Sequence, residues 1–284
     1  MIKQFLGRVI SYFSPVCFFK IAYFHNREKK LDLKCPSDLS AIWIKKVLEG
    51  EIKKYAYLAD KYAVRAYVKS RVGDSNLSKL IGVWEDPALI DFTKLPDKFA
   101  LKLNYGAGMN LICTDKQKLD KQDAIQKLKE WLSKSSHYSY SESHYNLIPR
   151  KIICEEFIVD GNGNFPIDYK FLCIKGEPFC ILACSDRDTG YAKYTMYSPT
   201  WEWLPDYQKE QVDQQKEVNR PLNLDEMLLI ARKLSFGLDL VRVDLYDTGD
   251  KVLFGEMTLT PAGCIFHRWT QKALDEAARY YFTH

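Results

Sequence analysis

An α+β protein, helical at its N-terminus and built beyond residue 99 largely of antiparallel strands, is what the sequence predicts. Three observations carry the prediction. Two segments with helical spacing precede residue 72. Short apolar strands then recur from Phe99 onward, and turn sequences such as Lys175-Gly176-Glu177-Pro178 and Asp247-Thr248-Gly249-Asp250 join several of them directly, as hairpins do. A doubly wound parallel sheet would instead need a long crossover in each connection. With 284 residues, 46% hydrophobic and 27% charged, the chain has globular composition and enough apolar mass for a sizeable core shared by two or three subdomains.

At the N-terminus, Ile2, Phe5, Leu6, Val9, Ile10 and Phe13 recur at helical spacing, with Lys3, Gln4 and Arg8 between them, and Pro15 stops the periodicity. Arg8 and Lys20 leave no run near the ~18 apolar residues a membrane span requires, and no small-residue cleavage site follows. The chain is therefore expected to be neither secreted nor spanning. Residues 1–24 read equally as a basic amphipathic helix lying on an anionic membrane and as a helix packed on its own domain. Residues 1–30 hold six Lys and Arg against Glu28 alone, so with a net charge of +4 the remainder is near neutral. A chain-wide basic footprint for nucleic acid is missing, and no nucleic-acid partner is expected.

Residues 38–49 form the first predicted internal helix, capped by Ser37 or Asp38 and stopped at Gly50. A second spans 60–71, opening at Asp60, with Ala63, Val64, Tyr67 and Val68 on one stripe. Strands follow at 99–103, 111–114, 151–158, 169–174, 179–185, 240–246 and 251–259, interrupted by helices near 120–134, 223–236 and 270–282. The eight cysteines contain no C-x-x-C pair and no His at zinc-like spacing, which argues against a zinc site or a thioredoxin motif. Cys113, Cys154, Cys173 and Cys180 lie in apolar runs and read as buried thiols of a reducing cytosol.

Three constellations carry chemistry. In Leu101-Lys102-Leu103-Asn104-Tyr105-Gly106-Ala107-Gly108-Met109-Asn110 a strand-borne Lys runs into a small-residue loop. Glycines let backbone N–H groups approach phosphate oxygens, so the segment reads as a phosphate cradle between strands, or as a plain glycine hairpin. It lacks the Gly-Lys-Ser/Thr and following helix of a Walker A loop. In Ile152-Ile153-Cys154-Glu155-Glu156-Phe157-Ile158 a strand ends in an acidic pair that can offer backbone and carboxylate to an adenine or ribose edge, or can simply face solvent. In Val241-Arg242-Val243-Asp244-Leu245 and Phe254-Gly255-Glu256-Met257-Thr258, alternation puts Arg242 and Asp244 on one face and Glu256 and Thr258 on one face. A hairpin between them brings together two hard carboxylate ligands suited to Mg²⁺, which need a cation or an arginine to remain ionised when buried. Between these, Lys170 inside a strand and Arg187 at a strand exit can neutralise a γ-phosphate or a developing acyl phosphate, or can serve as surface ion pairs.

In this order the motifs resemble the ATP-grasp fold and its TupA-like branch, associated with teichuronopeptide and other bacterial surface-polysaccharide assembly. The resemblance runs from about Leu31 to Gly263. It rests on Ala59-Asp60-Lys61-Tyr62-Ala63-Val64-Arg65, Leu101-Lys102 with its loop, Glu155-Glu156, Asp168-Tyr169-Lys170-Phe171, Ser185-Asp186-Arg187, Val241 to Tyr246 and Gly255 to Thr258. It implies two α+β subdomains, about 99–158 and about 159–284, sandwiching ATP within a domain spanning 59–284, after a helical segment 1–58. It further implies Lys102 and Lys170 on phosphates, the loop with Gly106, Gly108 and Asn110 closing over them, and Glu155, Glu156, Phe157 and Ile158 holding adenine. Asp244, Glu256 and Thr258 would bind Mg²⁺, the Thr standing where ATP-grasp ligases generally have Asn, and Arg242 would sit near the transferred phosphate. The family loop usually looks like Asn-His-Gly-Ser-Gly-Gly-Asn; Tyr105, Ala107 and Met109 depart from it here, as does the tail Cys264-Ile265-Phe266-His267-Arg268-Trp269.

The activity implied is a carboxylate–amine ligase working through an acyl phosphate, joining an amino acid to a sugar or peptide component of a surface polysaccharide. A kinase of a glycan hydroxyl and a non-catalytic nucleotide-binding scaffold are the rival readings. Lys61 and Arg65, one turn apart on the 60–71 helix, read as holding an acidic acceptor group or as a solvated face. Tyr138, Tyr140, Tyr145, Tyr191, Tyr194, Tyr197, Trp201 and Trp203 read as sugar platforms or as core anchors. A cytoplasmic location is expected, peripheral at the inner membrane if residues 1–24 touch lipid; the sequence does not tell the oligomeric state.

Overall fold

The computed structural model describes residues 14–133, 140–210 and 217–284. The predicted amphipathic run before Pro15, and Tyr138, lie outside the described residues. Pro15 begins a helix. In α1, Pro15–Arg27, it occupies the first turn behind the Ser14 cap, where its missing N–H costs nothing and its fixed φ suits the helix. Phe19, Tyr23 and Arg27, four residues apart, form the buried stripe. Tyr23 donates to Asp38 Oδ2 (2.6 Å), and Asp38 Oδ1 in turn accepts from the Ala41 N–H (2.8 Å), capping α2, Leu39–Leu48. One carboxylate thus ties two helices together.

A single turn, α3 (Ala56–Ala59), leads to α4 (Val64–Val72), which starts later than the sequence predicts. Asp60 Oδ1 accepts from the N–H groups of Tyr62 and Ala63, holding residues 60–63 in a side-chain-closed turn. Lys61 therefore lies in this turn and not on the helix that carries Arg65.

Two antiparallel sheets follow. Sheet A has the order β1 (Leu80–Trp84), β4 (Ile152–Glu156), β2 (Phe99–Leu103), β3 (Asn110–Cys113). Sheet B has the order β7 (Lys193–Tyr197), β6 (Glu177–Ser185), β5 (Asp168–Ile174), β8 (Leu240–Asp247), β9 (Val252–Thr258). β1 and β7 are absent from the sequence prediction. α5 (Lys121–Ser133) packs on sheet A through Ala124 and Leu128. α6 (Leu224–Ser235) covers the face of sheet B formed by Phe171, Val241, Val243 and Leu245, all fully buried. α7 (Gln271–Thr283) packs on α2 and β5. Cys113, Cys154, Cys173 and Cys180 are buried free thiols, as their apolar settings predict.

The opposite face of sheet B carries Asp168, Lys170, Arg242, Asp244, Tyr246, Glu256 and Thr258. A bulge makes this possible on β9: Asp244 pairs with Glu256 while Leu245 pairs with Phe254, leaving Gly255 extra. Without it, strict alternation would move either Glu256 off the polar face or Phe254 out of the core. Glycine suits the position, because a Cβ at 255 would stand a tight 3.0 Å from the Asp244 carbonyl oxygen and from the Tyr246 ring.

Candidate active site

Register between β5, β8 and β9 assembles the polar face. Lys170 opposes Asp244, and its Nζ donates to Asp244 Oδ2 (2.6 Å) and Asp168 Oδ2 (2.5 Å). Arg242 donates through Nε to Asp244 Oδ1 (2.6 Å) and through Nη2 to Asp244 Oδ2 (2.6 Å) and Glu256 Oε1 (3.0 Å). Thr258 Oγ1 donates to Glu256 Oε1 (2.9 Å). Arg187 Nη1 lies 3.2 Å from Asp168 Oδ2 and 3.3 Å from the Tyr246 hydroxyl. The expected catalytic and metal residues therefore form one network. Asp168 and Tyr246, to which the sequence reading gives no role, complete it.

The two central carboxylates differ. Burial, the largest influence on Asp244, acts upward and prevails over Arg242 and Lys170, with Asp168 and Glu256 adding repulsion, so its pKa is raised. Burial acts upward on Glu256 too, but Lys61, Arg242 and Lys170 outweigh it and bring the carboxyl down to about 2. The Asp244 side chain is 2% exposed and that of Glu256 35%, so Glu256 reaches solvent while Asp244 anchors the network from below.

Sheet A contributes a second trio. Glu155 accepts from Arg65 Nη1 at Oε1 (2.7 Å) and from Lys102 Nζ at Oε2 (2.8 Å), and Arg65 Nη2 also donates to the Ser78 carbonyl (2.6 Å). Arg65 thus helps fix Lys102 through Glu155, a contact unlike the acceptor-binding role expected of it. Lys61, whose pKa burial lowers, donates to the Gly106 carbonyl (2.6 Å) at the base of the small-residue loop. In that loop Gly106 (φ 70°) and Gly108 (φ 76°) take left-handed conformations that L side chains rarely adopt.

The sheets meet at a cavity of about 90 Å³ lined by Lys102, Asn110, Phe157 and Ile158 from sheet A and its exit, and by Arg187 and Tyr246 from sheet B. Phe157 packs edge-on against Phe165, centroids 5.1 Å apart. Glu156 lines the same cavity and accepts from the Lys79 N–H (2.8 Å).

A second cavity, about 200 Å³, is lined by Lys170 and Arg242 and roofed by residues 261–269. This roof contains three non-glycine residues in the left-handed region, Ala262 (φ 51°), Cys264 (φ 68°) and Phe266 (φ 50°). It is held from behind through backbone oxygens. Arg27 donates to the carbonyls of Trp269 (2.7 Å), Ile265 (2.7 Å) and Phe266 (2.5 Å), Ser40 to that of Cys264 (2.5 Å), and Trp43 Nε1 to that of Leu259 (2.7 Å). Of the aromatic residues considered as platforms, Tyr197 is buried and stacked on Trp201 (4.1 Å, 3°), an anchor of the fold, while Tyr194 lines the second cavity.

The donor set fits a hard divalent cation and a polyphosphate. Asp244 and Glu256 offer carboxylate oxygens from neighbouring strands, and Asp168 Oδ1 is buried without a hydrogen-bond partner among the described residues, an atom that a cation or its water would satisfy. Among the described residues no three His, Cys, Asp or Glu side chains cluster as a metal cage.

Residues 41–282 match the family described as TupA-like ATPgrasp. No curated protein matches significantly. Among solved structures the chain is similar to D-alanine–D-alanine ligase from Helicobacter pylori (14% identity, TM-score 0.44, 79% of this chain and 61% of that one). It is also similar to D-cycloserine synthetase DcsG (11%, 0.47, 85% and 81%) and to a Bacillus anthracis D-alanine–D-alanine ligase complexed with ATP (13%, 0.44, 80% and 68%). The chain spans about three fifths of the length of the first of these.

Proposed function

The chain belongs to the TupA-like ATP-grasp family, and from that premise we propose that it is an ATP- and Mg²⁺-dependent carboxylate–amine ligase of bacterial surface-polysaccharide assembly. The observation that carries the reading is the junction of the two sheets. Lys102, Asn110 and Phe157 line one cavity with Arg187 and Tyr246, and Arg187 connects it through Asp168 to the Lys170–Asp244–Arg242–Glu256 network. Adenine packs against Phe157 and Ile158, and Lys102 with the 106–110 loop receives phosphates. Mg²⁺ at Asp244, Glu256 and Thr258 would neutralise phosphate oxygens as charge builds.

The residues of this chain then align and neutralise. A substrate carboxylate oxygen attacks the γ-phosphorus, the bond to the β–γ bridging oxygen breaks, and ADP leaves with the electron pair. Lys170, Arg187 and Arg242 hold the charge on the transferred group, a task in which positioning and electrostatics dominate. The amine then attacks the acyl carbon, and inorganic phosphate leaves with the acyl C–O electron pair while the nitrogen gives up its proton. In this reading Lys61 steadies the loop through the Gly106 carbonyl, and Arg65 sets Lys102 through Glu155.

Hydroxylamine trapping tests the activity: hydroxamate formed with ADP from a carboxylic acid supports it. Stable transfer of labelled phosphate to a sugar hydroxyl, with no hydroxamate, replaces it with the kinase. Among the described residues no helix is long and apolar enough to cross a membrane. Val16, Ile21 and Phe24 are nevertheless exposed on α1 beside Lys20, which supports peripheral contact of residues 1–24 with the cytoplasmic face of the inner membrane. Flotation with phosphatidylglycerol vesicles that is lost in Phe24→Glu checks that contact.

A further inference from the structure

The register of sheet B separates the two cavities. Asp168 pairs with Tyr246, which lines the cavity at the sheet junction. Lys170 pairs with Asp244 in the middle, and Leu172 pairs with Arg242, both lining the second cavity. Along the strands, a group held there meets the network from the side opposite the proposed nucleotide.

The second cavity has a charged end and an apolar body. Lys170 and Arg242 supply its charge, and Arg242 Nη1 takes no part in the bonds to Asp244 and Glu256. Beyond them the floor is Leu172, Leu182 and Met196, one from each of β5, β6 and β7, and the roof is Phe266 with Trp269. Two of the polar side chains in the walls, Gln208 and Arg268, are engaged within the protein, while His267 is exposed in the roof. Gln208 accepts from the Met196 N–H (2.9 Å) and donates to the Tyr194 carbonyl (2.9 Å). Arg268 lies over the Tyr194 ring (4.6 Å) and pairs with Glu210 (2.6 Å). At about 200 Å³ the space is smaller than a typical drug-sized pocket and suits a body the size of one amino acid.

We infer that this pocket takes the acid partner of the ligation, and that the acid is a monocarboxylate with a compact, uncharged, apolar body. The inference rests on the ligase reading of the same site. A carboxylate beside Lys170 and Arg242 meets both, while the body replaces water against Leu172, Leu182, Met196 and Phe266. A sugar acid would bury more ring hydroxyls against these apolar walls than His267 could pair, a lysine-like body would add charge beside Arg268, and an aspartate-like one would bury a second carboxylate. The sugar of the proposed product would accordingly belong to the amine partner, outside this pocket.

Full-length protein with MgATP and hydroxylamine is offered leucine, methionine, phenylalanine and 4-methylpentanoate on one side, and aspartate, lysine and glucuronate on the other. ADP release and hydroxamate are measured. The apolar acids are expected to give kcat/KM at least tenfold above the charged and sugar acids. Leu182→Trp, which fills the floor, is expected to lower kcat/KM for the apolar acids at least tenfold while keeping the MgATP-induced rise in Tm. If that variant does not fold, the panel on the unaltered chain decides alone. Preference for glucuronate, aspartate or lysine overturns the pocket assignment and leaves the ligase standing. Phosphate fixed stably on a sugar hydroxyl, with no hydroxamate from any acid, overturns the ligase reading and the pocket with it.

Discussion

Sheets A and B each present a carboxylate gripped by one lysine and one arginine, Glu155 by Lys102 and Arg65, Asp244 by Lys170 and Arg242. Electrostatically the trios diverge. Burial acts upward on both carboxyls, but around Glu155 the cations prevail and its pKa falls, whereas around Asp244 burial and the nearby Asp168 and Glu256 prevail and its pKa rises. One trio is self-sufficient and serves to aim Lys102. The other shares its cations with two further carboxylates, Asp168 and Glu256, an arrangement that can accommodate an added cation.

The sharpest way to break this contrast is to neutralise each carboxylate in turn. Asp244→Asn is expected to lower ligase turnover by about 10²–10³-fold, the scale for removing a preorganised electrostatic group, and to abolish the Mg²⁺-dependent part of the ATP-induced Tm rise, with activity and thermal unfolding as readouts. That rise should be about 2.7 kcal/mol at a hundredfold excess of ligand over Kd. Glu155→Gln strands two cations and should cost about 3 kcal/mol of stability, lowering Tm by roughly 5–10 °C. Asp244→Asn relieves repulsion and should cost less than half as much; equal losses in urea titrations would erase the distinction.

A smaller effect belongs to the roof. Arg27→Met removes three charge-assisted bonds to carbonyl oxygens and should cost about 2 kcal/mol, while raising KM for the acid proposed for the second cavity several-fold with KM for ATP unchanged. Smallest is the pH effect, whose sign differs between the trios. The lowered pKa of Glu155 means the unfolded chain binds more protons below about pH 4.3, so its contribution is lost as pH falls through the folded value. The raised pKa of Asp244 works oppositely, its contribution fading as pH rises above about 3.9 and through the folded value. Urea midpoints between pH 3 and 6 should therefore vary less steeply in Glu155→Gln and more steeply in Asp244→Asn than in the unaltered chain.

Local pattern made most of the fold legible. The strands from Phe99 to Thr258 with strong apolar runs, and the helices ending in α7, fall within a few residues of where spacing puts them. β1 escaped because Leu80–Trp84 is half-buried throughout and contains Gly82, so it shows neither alternation nor an apolar run. β7 escaped because Lys193–Tyr197 reads as part of an aromatic loop and becomes a strand only through pairing with β6. Pro15 was ambiguous in principle, since proline both ends one helix and begins the next. In the site, residue types and alternation pointed to Lys170, Arg242, Asp244, Glu256 and Thr258. Asp168, Tyr246 and the Glu155–Arg65 contact depend on register and on neighbours 59 to 90 residues away, which periodicity does not encode.

The roof over the second cavity is fastened by Arg27, Ser40 and Trp43 through main-chain oxygens alone. Every residue type carries that oxygen. His267, exposed in the roof, can therefore be exchanged while the mounting stays in place, whereas Trp269 is buried against Phe266, and Ala262, Cys264 and Phe266 have left-handed backbones that disfavour β-branched replacements. Such a segment behaves as a cartridge with one interchangeable face, and a selection for new substrates should change position 267 first while sparing Arg27.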